Sequence, residues 1–262
     1  MSKPADSEMT FWDHLDDLRN TLFRIAIFVG IISLVLFFYM PRIFDSVILA
    51  PTRNDFFLYE WLNRVAKTLP ILPDFCIGTF QVKIININLA SQFFIHMSTS
   101  FWFGLVLSFP FVIYQLFIFV KPALYSNEKK NTGLAFFFGN ILFFIGVAVG
   151  YLMVFPLTLR FLAGYQLSQY IEQSVSLDSY MDSFLMLCFV MGLIFELPLL
   201  SWFLSKLGIL HRSFFNKFRK HAVIILLLMA AFITPSGDPF TLMVVFLPVY
   251  LLWEISALVV KK

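Results

Sequence analysis

Carboxylate side chains occupy two kinds of unusual position in this sequence. Asp13, Asp16 and Asp17 stand directly before the first long apolar run, and Glu196 and Glu254 lie inside later apolar runs. A carboxylate at the centre of a bilayer costs on the order of 3 kcal/mol, so such a residue usually faces a cavity, a partner or an ion path. The chemistry these acids offer is therefore cation binding, hydrogen bonding to a partner, or proton transfer.

Each acid also has a structural interpretation. Asp16 and Arg19 are three positions apart, and an exposed helical pair of this kind contributes a few tenths of a kcal/mol. That pair leaves Asp17 without a structural role. A neutral carboxylic acid held by one hydrogen bond is the alternative for Glu196, and a side chain reaching to the membrane interface is the alternative for Glu254.

Motifs of phosphate-binding, metal-binding and hydrolytic sites are missing from the sequence. No Gly-rich loop precedes Lys and Ser or Thr, no His pair has metal-ligand spacing, and no nucleophile elbow occurs. Cys76 and Cys188 have neither metal spacing nor an obvious disulfide pairing. We therefore expect no enzyme activity, no cofactor and no metal.

The composition is that of a membrane protein. Apolar residues make up 60% of the chain, charged residues only 13%, and 35 residues are Phe. Several apolar runs reach the length of about 20 residues that a helix needs to cross a bilayer. We predict an all-α polytopic membrane protein of one domain, 1–262. The net charge of +3 is small and dispersed, which argues against a nucleic-acid partner.

Hydropathy predicts six membrane segments, which would put both termini on one side of the membrane. The fifth has only about a dozen apolar residues, so a re-entrant hairpin with the sixth is the alternative to a full span. Pro110 lies inside the second segment, where it predicts a kink. The six segments are 22–40, 93–120, 134–155, 181–205, 222–234 and 240–260.

The distribution of basic residues predicts the orientation. Of the 19 Lys and Arg residues, 13 fall at the termini and in the two loops on the same side, and 6 fall on the opposite side. This excess places both termini in the cytoplasm. It makes 1–21 a cytosolic helix, 121–131 and 206–221 cytosolic loops, and 41–92 an outer-face cap. Within this cap, "FFLYEWLNRVAKTLP" predicts an amphipathic interfacial helix and "FQVKIININL" an extended segment.

Five stretches of the sequence together resemble the TatC family, the polytopic core of the twin-arginine protein translocase. The resemblance extends over the length of the chain. In order, the stretches are "FWDHLDDLR", "LSFPFVIYQLFIFVKPALYSNEKK", "VFPL", "FELP" and "ITPSGDPFTLMVVFLPVYLLWEIS".

The resemblance implies a receptor site for signal peptides that carry two adjacent arginines. It assigns peptide binding to Asp17, the acid of the amino-terminal signature, to Arg19 of the same signature, and to Glu128, the acid of the first cytosolic loop. Phe119 and Pro122 belong to the motif before that loop. Two carboxylates at one cytosolic mouth are complementary to two guanidinium groups, each of which can pair through two hydrogen bonds. Asp17 stands where the family usually has Glu, so its reach is one methylene shorter.

The resemblance also implies a concave, glove-like bundle of six helices, of which the fifth and sixth are short. Glu196 would lie in the concave face and hydrogen-bond to a single-span partner of the TatA or TatB type. Glu254 and Gln115 are further candidates for polar contacts within the membrane. Structural roles are expected for three prolines, Pro51, Pro110 and Pro156.

The function that the resemblance implies is that of a non-enzymatic receptor and translocase core in the bacterial cytoplasmic membrane. It would export folded proteins with the proton-motive force, and it would self-associate. The alternative is a proton-coupled carrier of small solutes that uses Glu196 and Glu254, although the related half-repeats typical of many carriers are not evident. A passive membrane scaffold is a third interpretation, in which both glutamates would tolerate Ala.

Overall fold

The structure is a computed structural model that describes residues 11–68, 82–120, 132–165, 167–168, 170, 173–234 and 237–260. Nine α-helices occur in the described part of the chain. They are α1 (Phe11–Ile43), α2 (Phe57–Thr68), α3 (Ser91–Val120), α4 (Thr132–Val149), α5 (Phe155–Gly164), α6 (Leu177–Ile194), α7 (Leu197–Lys206), α8 (Arg212–Ile233) and α9 (Pro239–Val259).

Short elements connect these helices. A π-helical turn, Phe44–Ile48, continues α1 and is followed by a 3-10 turn, Ala50–Thr52. A second π-helical turn, Gly150–Val154, joins α4 to α5. Two strands of two residues, β1 (Ile84–Ile85) and β2 (Val175–Ser176), pair in parallel. The predictions of a helix in 41–92 and of an extended segment after it are confirmed by α2 and β1.

Five helical stretches of the described chain are long and apolar enough to span a membrane, and the protein is a multi-pass membrane protein. The helix α8 is not among them, because basic residues occupy its first half. The five stretches are His14–Leu62, Ser91–Phe119, Phe136–Gly164, Leu177–Lys206 and Pro239–Val259.

Four of the predicted segments differ in their bounds from the helices of the structure. The first lies within the longer helix α1. The third extends beyond 155 to Gly164, because Pro156 starts a new helical stretch at its second position, where its missing N–H is tolerated. The fourth is interrupted between α6 and α7. The fifth was predicted from 222, but α8 begins at Arg212, so the helix has 22 residues even though its apolar part is short.

The helices α1 and α3 pack along each other in antiparallel directions. Their contact includes Gly104, where an added Cβ would lie 2.1 Å from Ser33 Oγ, so the glycine permits close approach. The last turn of α3 lies beside the first turn of α1, and we call the end of the bundle where these two turns meet the N-terminal end. Stacked rings mark the register along the pair: His14 with Phe119, Phe28 with Phe111, and Phe37 with His96.

Tyrosine hydroxyls donate hydrogen bonds to backbone carbonyls at the opposite end of the bundle. Tyr151 and Tyr180 donate to Val47 O and Ile48 O in the π-helical turn after α1. The Tyr59 hydroxyl contacts Pro51 O at 3.0 Å and Pro156 O at 3.2 Å. These bonds join the cap helix α2 to the ends of the spans.

Candidate functional site

The first candidate site lies at the N-terminal end of the bundle, on the first two turns of α1. Asp16 and Arg19 form the predicted ion pair, with Oδ1 and Nη2 3.3 Å apart and both side chains 66% exposed. Asp17 is also exposed, and none of the residues that the structure describes forms an ion pair with it. Its charge is therefore available to a ligand approaching from outside the bundle.

A ring contact fixes the position of Asp17 relative to the end of α3. The imidazole of His14, one turn before Asp17, stacks on the ring of Phe119 with centroids 4.3 Å apart and planes inclined by 18°. Phe119 precedes by one position the last residue of α3, so the stack holds the acidic turn beside the point where the chain enters 121–131. Glu128 and Pro122 lie outside the described residues.

The second candidate site surrounds Glu196, between α6 and α7. The side chain is only 7% exposed, and its Oε1 has no hydrogen-bond partner among the described residues. A Cβ on Gly139 of α4 would lie 3.3 Å from Oε2 and 3.7 Å from Oε1. The absent side chain of Gly139 therefore provides the space that the carboxylate occupies.

The local sequence explains why Glu196 is at a helix break. Pro198 lies in the first turn of α7, and a proline has no backbone N–H to donate the hydrogen bond that would continue the preceding helix. The chain turns at Phe195 and Glu196, and α7 starts at the next residue. A buried acceptor without a donor is costly in an apolar region, which makes this carboxylate a candidate for binding a polar group of another chain.

The structure does not join the remaining polar candidates to Glu196 by a hydrogen bond. Gln115 is 8% exposed, one turn before Phe119 on α3, and its Oε1 has no hydrogen-bond partner within the described part of the chain. Asn140, beside Gly139, donates from Nδ2 to Phe136 O at 2.8 Å. Gln115 therefore lies on the helix that carries Phe119, closer along the chain to the first site than to the second.

Glu254 has a partner that the sequence interpretation did not identify. Arg219 of α8 donates from Nε to Oε1 at 2.7 Å, and its Nη2 lies 2.7 Å from Oε2. The hydrogen bond with this carboxylate is the main cause that raises the pKa of Arg219. The side chains are 58% and 29% exposed, respectively, so the pair lies near the surface. This geometry corresponds to the interface alternative for Glu254.

The predicted structural prolines occupy different environments. Pro51 and Pro156 are buried, and the carbonyl oxygens of both lie within hydrogen-bonding distance of the Tyr59 hydroxyl, which supports a structural role for each. Pro110 lies inside α3, which continues through it as one helix. No group of three or more His, Cys, Asp or Glu side chains with metal-binding geometry occurs among the described residues.

Comparison with known proteins identifies the family. The family model described as Sec-independent protein translocase protein (TatC) matches residues 13–248. The chain belongs to the TatC family. The resemblance inferred from the sequence motifs is thereby confirmed, and the protein is a core subunit of the twin-arginine translocase.

Curated TatC proteins align with nearly the whole chain. TatC from Blattabacterium sp. subsp. Periplaneta americana is 31% identical over 255 residues, which cover 97% of this chain and 96% of that protein. TatC from Deinococcus radiodurans is 30% identical over 258 residues, covering 97% and 87%, respectively. Both are described as Sec-independent protein translocase proteins.

Two crystal structures of TatC share this fold. Both are described as the twin-arginine translocase receptor, and both are 28% identical to this chain. One has a TM-score of 0.73 and covers 94% of this chain and 97% of the solved chain. The other, in DDM, has a TM-score of 0.75 and covers 95% and 100%. The all-α membrane fold predicted from the sequence is therefore confirmed at the level of the family.

Proposed function

We propose that this chain is the signal-peptide receptor of the translocase, and that Asp17 and Glu128 bind the two arginines of the export signal. The observation that carries the proposal is Asp17, an exposed carboxylate without an ion-pair partner in the described chain, held by the stack of His14 on Phe119 beside the entry to the first loop. In this proposal both termini are cytoplasmic, and the receptor exports folded proteins with the proton-motive force.

Charge and geometry favour arginine as the ligand of this site. A guanidinium group is planar, stays protonated, and can donate two parallel hydrogen bonds to one carboxylate, whereas an ammonium group acts as a point charge. Asp16 is already compensated by Arg19, so Asp17 supplies the uncompensated charge on this turn. Arg19 thus keeps the neighbouring acid from competing for the same peptide arginine.

The direct test compares two neighbouring acids on one helix turn. We expect Asp17→Asn to weaken binding of a peptide with two arginines by about 10- to 100-fold, since a hydrogen bond to a charged group contributes about 1.5–3 kcal/mol. Asp16→Asn is the matched control and should change the affinity little, because Asp16 is paired within the chain. Fluorescence anisotropy of a labelled peptide, with purified protein in detergent at moderate salt, gives both affinities.

A peptide with two lysines distinguishes planar recognition from diffuse attraction. The proposal expects a clear preference for arginine in the wild type and loss of that preference in the Asp17→Asn, Glu128→Gln double variant. Equal binding of both peptides, or unchanged binding in the double variant, contradicts the assignment of these two sites while leaving the family assignment intact.

We further propose that Glu196 hydrogen-bonds to a polar side chain of a single-span TatA- or TatB-type subunit. Burial of its carboxylate, the lack of an internal donor to Oε1 in the described chain and the space beside Gly139 support this role. Self-association of the receptor in the bacterial cytoplasmic membrane belongs to the same proposal. Co-purification of a tagged partner subunit with wild type and with Glu196→Ala tests it, and equal recovery would contradict it.

A further inference from the structure

A cationic surface at the N-terminal end of the bundle is not part of the proposed peptide site. It comprises Lys206 at the end of α7 and Arg212, Lys217 and Lys220 on the first half of α8, and we call it the α7–α8 basic surface. We propose that this surface binds the phosphate headgroups of anionic phospholipids in the leaflet at this end of the bundle. The proposal does not depend on the signal-peptide site.

The charge of this surface is not compensated within the described chain. Residues 197–237 contain no Asp or Glu. Among the described residues, the one carboxylate that forms an ion pair with this segment is Glu254, and its partner is Arg219. None of the four residues of the α7–α8 basic surface forms an ion pair with another residue that the structure describes. Anionic ligands from outside the protein are therefore its natural complement.

The paired arginine and the two lysines lie on different faces of α8. Phe215, Ala222 and Leu226 are buried, and Arg219 shares their face because it reaches Glu254 on α9. Lys217 and Lys220 are exposed. The inward charge thus serves the helix hairpin, and the outward charges remain available.

Aromatic rings accompany the lysines as they do in segments that lie at a membrane interface. The Lys206 ammonium lies 5.6 Å from the centroid of the Trp202 ring, and the Lys217 ammonium lies 5.7 Å from that of Phe218. Phe218 and Phe214 are themselves exposed, at 37% and 42%. An apolar body beside a cationic tip suits the boundary between acyl chains and headgroups.

The depth of the lysines along α8 matches that boundary. Large apolar side chains cover the exposed face of α8 after His221, beginning with Ile224 and Ile225 and continuing to Phe232. Lys220 precedes Ile224 by four positions, which is about 6 Å at the helical rise of 1.5 Å per residue. Lys220 therefore lies about one helical turn, and Lys217 about two turns, from the face that contacts acyl chains, which is the depth of the headgroup region.

The lysines and the exposed apolar side chains form one continuous surface on α8, and this favours a phospholipid over an acidic protein as the ligand. A partner that bound the lysines would leave Phe214 and Phe218 against water unless it also covered them, whereas a phospholipid supplies phosphate for the lysines and acyl chain for the rings and for Ile225. We therefore assign the surface to phospholipid, and an acidic peptide becomes an outcome of the test.

The experiment measures local lipid composition at the surface itself. Asn216 is exposed between the two phenylalanines, so Asn216→Cys, in a chain with Cys76→Ala and Cys188→Ala, carries a bimane fluorophore there. The protein is placed in nanodiscs of phosphatidylcholine with a minor fraction of doxyl-labelled phosphatidylglycerol or doxyl-labelled phosphatidylcholine. We expect stronger quenching by the phosphatidylglycerol probe, and we expect 0.5 M salt to reduce the difference.

Charge removal locates the effect. Lys217→Gln with Lys220→Gln should lower the preference for phosphatidylglycerol by about fivefold for each charge removed. Lys217→Arg with Lys220→Arg should keep it. The matched control is Arg42→Gln with Arg53→Gln, which removes two exposed charges from the opposite end of the bundle that form no ion pair within the described chain, and it should leave the preference unchanged.

Three results would overturn the proposal. They are equal quenching by the two lipid probes in the wild type, an unchanged preference in the Lys217→Gln, Lys220→Gln variant, and loss of the preference when a soluble acidic peptide is added at micromolar concentration. The last result would assign the surface to a protein partner. Size-exclusion profiles of the variants confirm that each one is folded.

Discussion

Two adjacent aspartates on α1 differ in what surrounds them. Asp16 is paired with Arg19, while Asp17 has no ion-pair partner in the described chain although both are exposed. Two residues of the same type therefore differ in whether they are free to bind a ligand, because only the aspartate three positions before Arg19 forms an ion pair with it. The experiment on Asp16 and Asp17 depends on this difference.

Glu196 should show opposite effects on stability and on export. Because its Oε1 has no internal donor in the described chain, we expect Glu196→Met to raise the stability of the detergent-solubilised protein by about 1–2 kcal/mol. The same variant should lose export, since it cannot hydrogen-bond to a partner. Glu196→Gln keeps hydrogen-bonding groups and should be intermediate in export.

Thermal unfolding and the export of a reporter with two arginines in its signal measure the two effects. Gln115→Met is a comparison within the same protein, because Gln115 is also a buried acceptor without an internal partner in the described chain. If Glu196→Met is destabilised and still exports, the carboxylate has a structural role instead.

The ion pair of Arg219 with Glu254 should contribute little to stability. Both side chains are partly exposed, and such pairs are usually worth between 0 and about 1 kcal/mol. We expect Glu254→Gln and Arg219→Gln each to change the thermal stability only slightly, with little coupling in the double variant. A coupling of several kcal/mol in a cycle of thermal unfolding measurements would identify the pair as a buried structural element.

Sequence interpretation succeeded for residues whose partners are close along the chain. The pair of Asp16 with Arg19 is three positions apart and was predicted. The sequence interpretation used Arg219 only as evidence for orientation. Arg219 precedes Thr234 by 15 positions and Glu254 follows Pro239 by 15, so the two residues are equally far from the connection between α8 and α9 and meet when these helices pack against each other. Gly139 was missed because nothing in the sequence indicates that it faces Glu196.

Close packing on α6 of α4 and of the π-helical turn that follows it depends on glycines at helical spacing. A Cβ at Gly146 would lie 2.6 Å from Met191 O, and one at Gly150 would lie 2.8 Å from Cys188 Cα. Both neighbours are backbone atoms that cannot move aside without shifting a helix. Small residues at this spacing permit the backbone approach that drives helix association in membranes.

Gly146→Ala should therefore destabilise the protein by about 1–3 kcal/mol through overpacking. Gly133→Ala, on the same helix, is the control: nothing lies within 4 Å of its Cβ position, so the change should be neutral or slightly stabilising. Thermal unfolding in detergent compares the two. Equal stability of both variants would contradict the packing argument.

Element boundaries were predicted well where hydropathy changes sharply and poorly where it does not. The second and sixth segments begin and end within two residues of α3 and α9. The helix α8 begins ten residues before the predicted membrane segment, because helix formation continues through a basic stretch that a hydropathy criterion excludes. The π-helical turn Phe44–Ile48 could not be predicted, since its carbonyls accept tertiary hydrogen bonds from Tyr151 and Tyr180.

At the scale of the whole molecule, the proposed orientation makes a prediction about access. In a chain without other cysteines, Asn54→Cys should react with a membrane-impermeant maleimide added to intact cells. Asn216→Cys should react only after the cells are permeabilised, since both positions are exposed but lie at opposite ends of the bundle. The reverse pattern would place the termini outside and would exclude a cytoplasmic receptor site.

The fold of the family could be predicted because five motifs occur in the sequence in the expected order. The sequence of any one membrane span would not have been enough. The helices α1 and α3 meet through rings far apart in the sequence, such as Phe28 and Phe111, and a list of apolar segments does not show which of them are neighbours. Topology limits which helix ends can be neighbours. Because successive spans cross the membrane in opposite directions, the start of the first span and the end of the second lie on the same side.

The space beside Gly139 also constrains how this protein can vary over evolution. A methyl group there would lie 2.6 Å from Leu199 Cδ2 and would crowd the Glu196 carboxylate, so replacement of this glycine alone is unfavourable. Loss of the acid at 196 removes the part of that restriction that the carboxylate imposes, and the remaining neighbour, Leu199 Cδ2, is the end of a flexible side chain that can shift. In an alignment of close orthologues, alanine or larger residues at 139 should therefore occur mainly in lineages where 196 has become shorter or apolar.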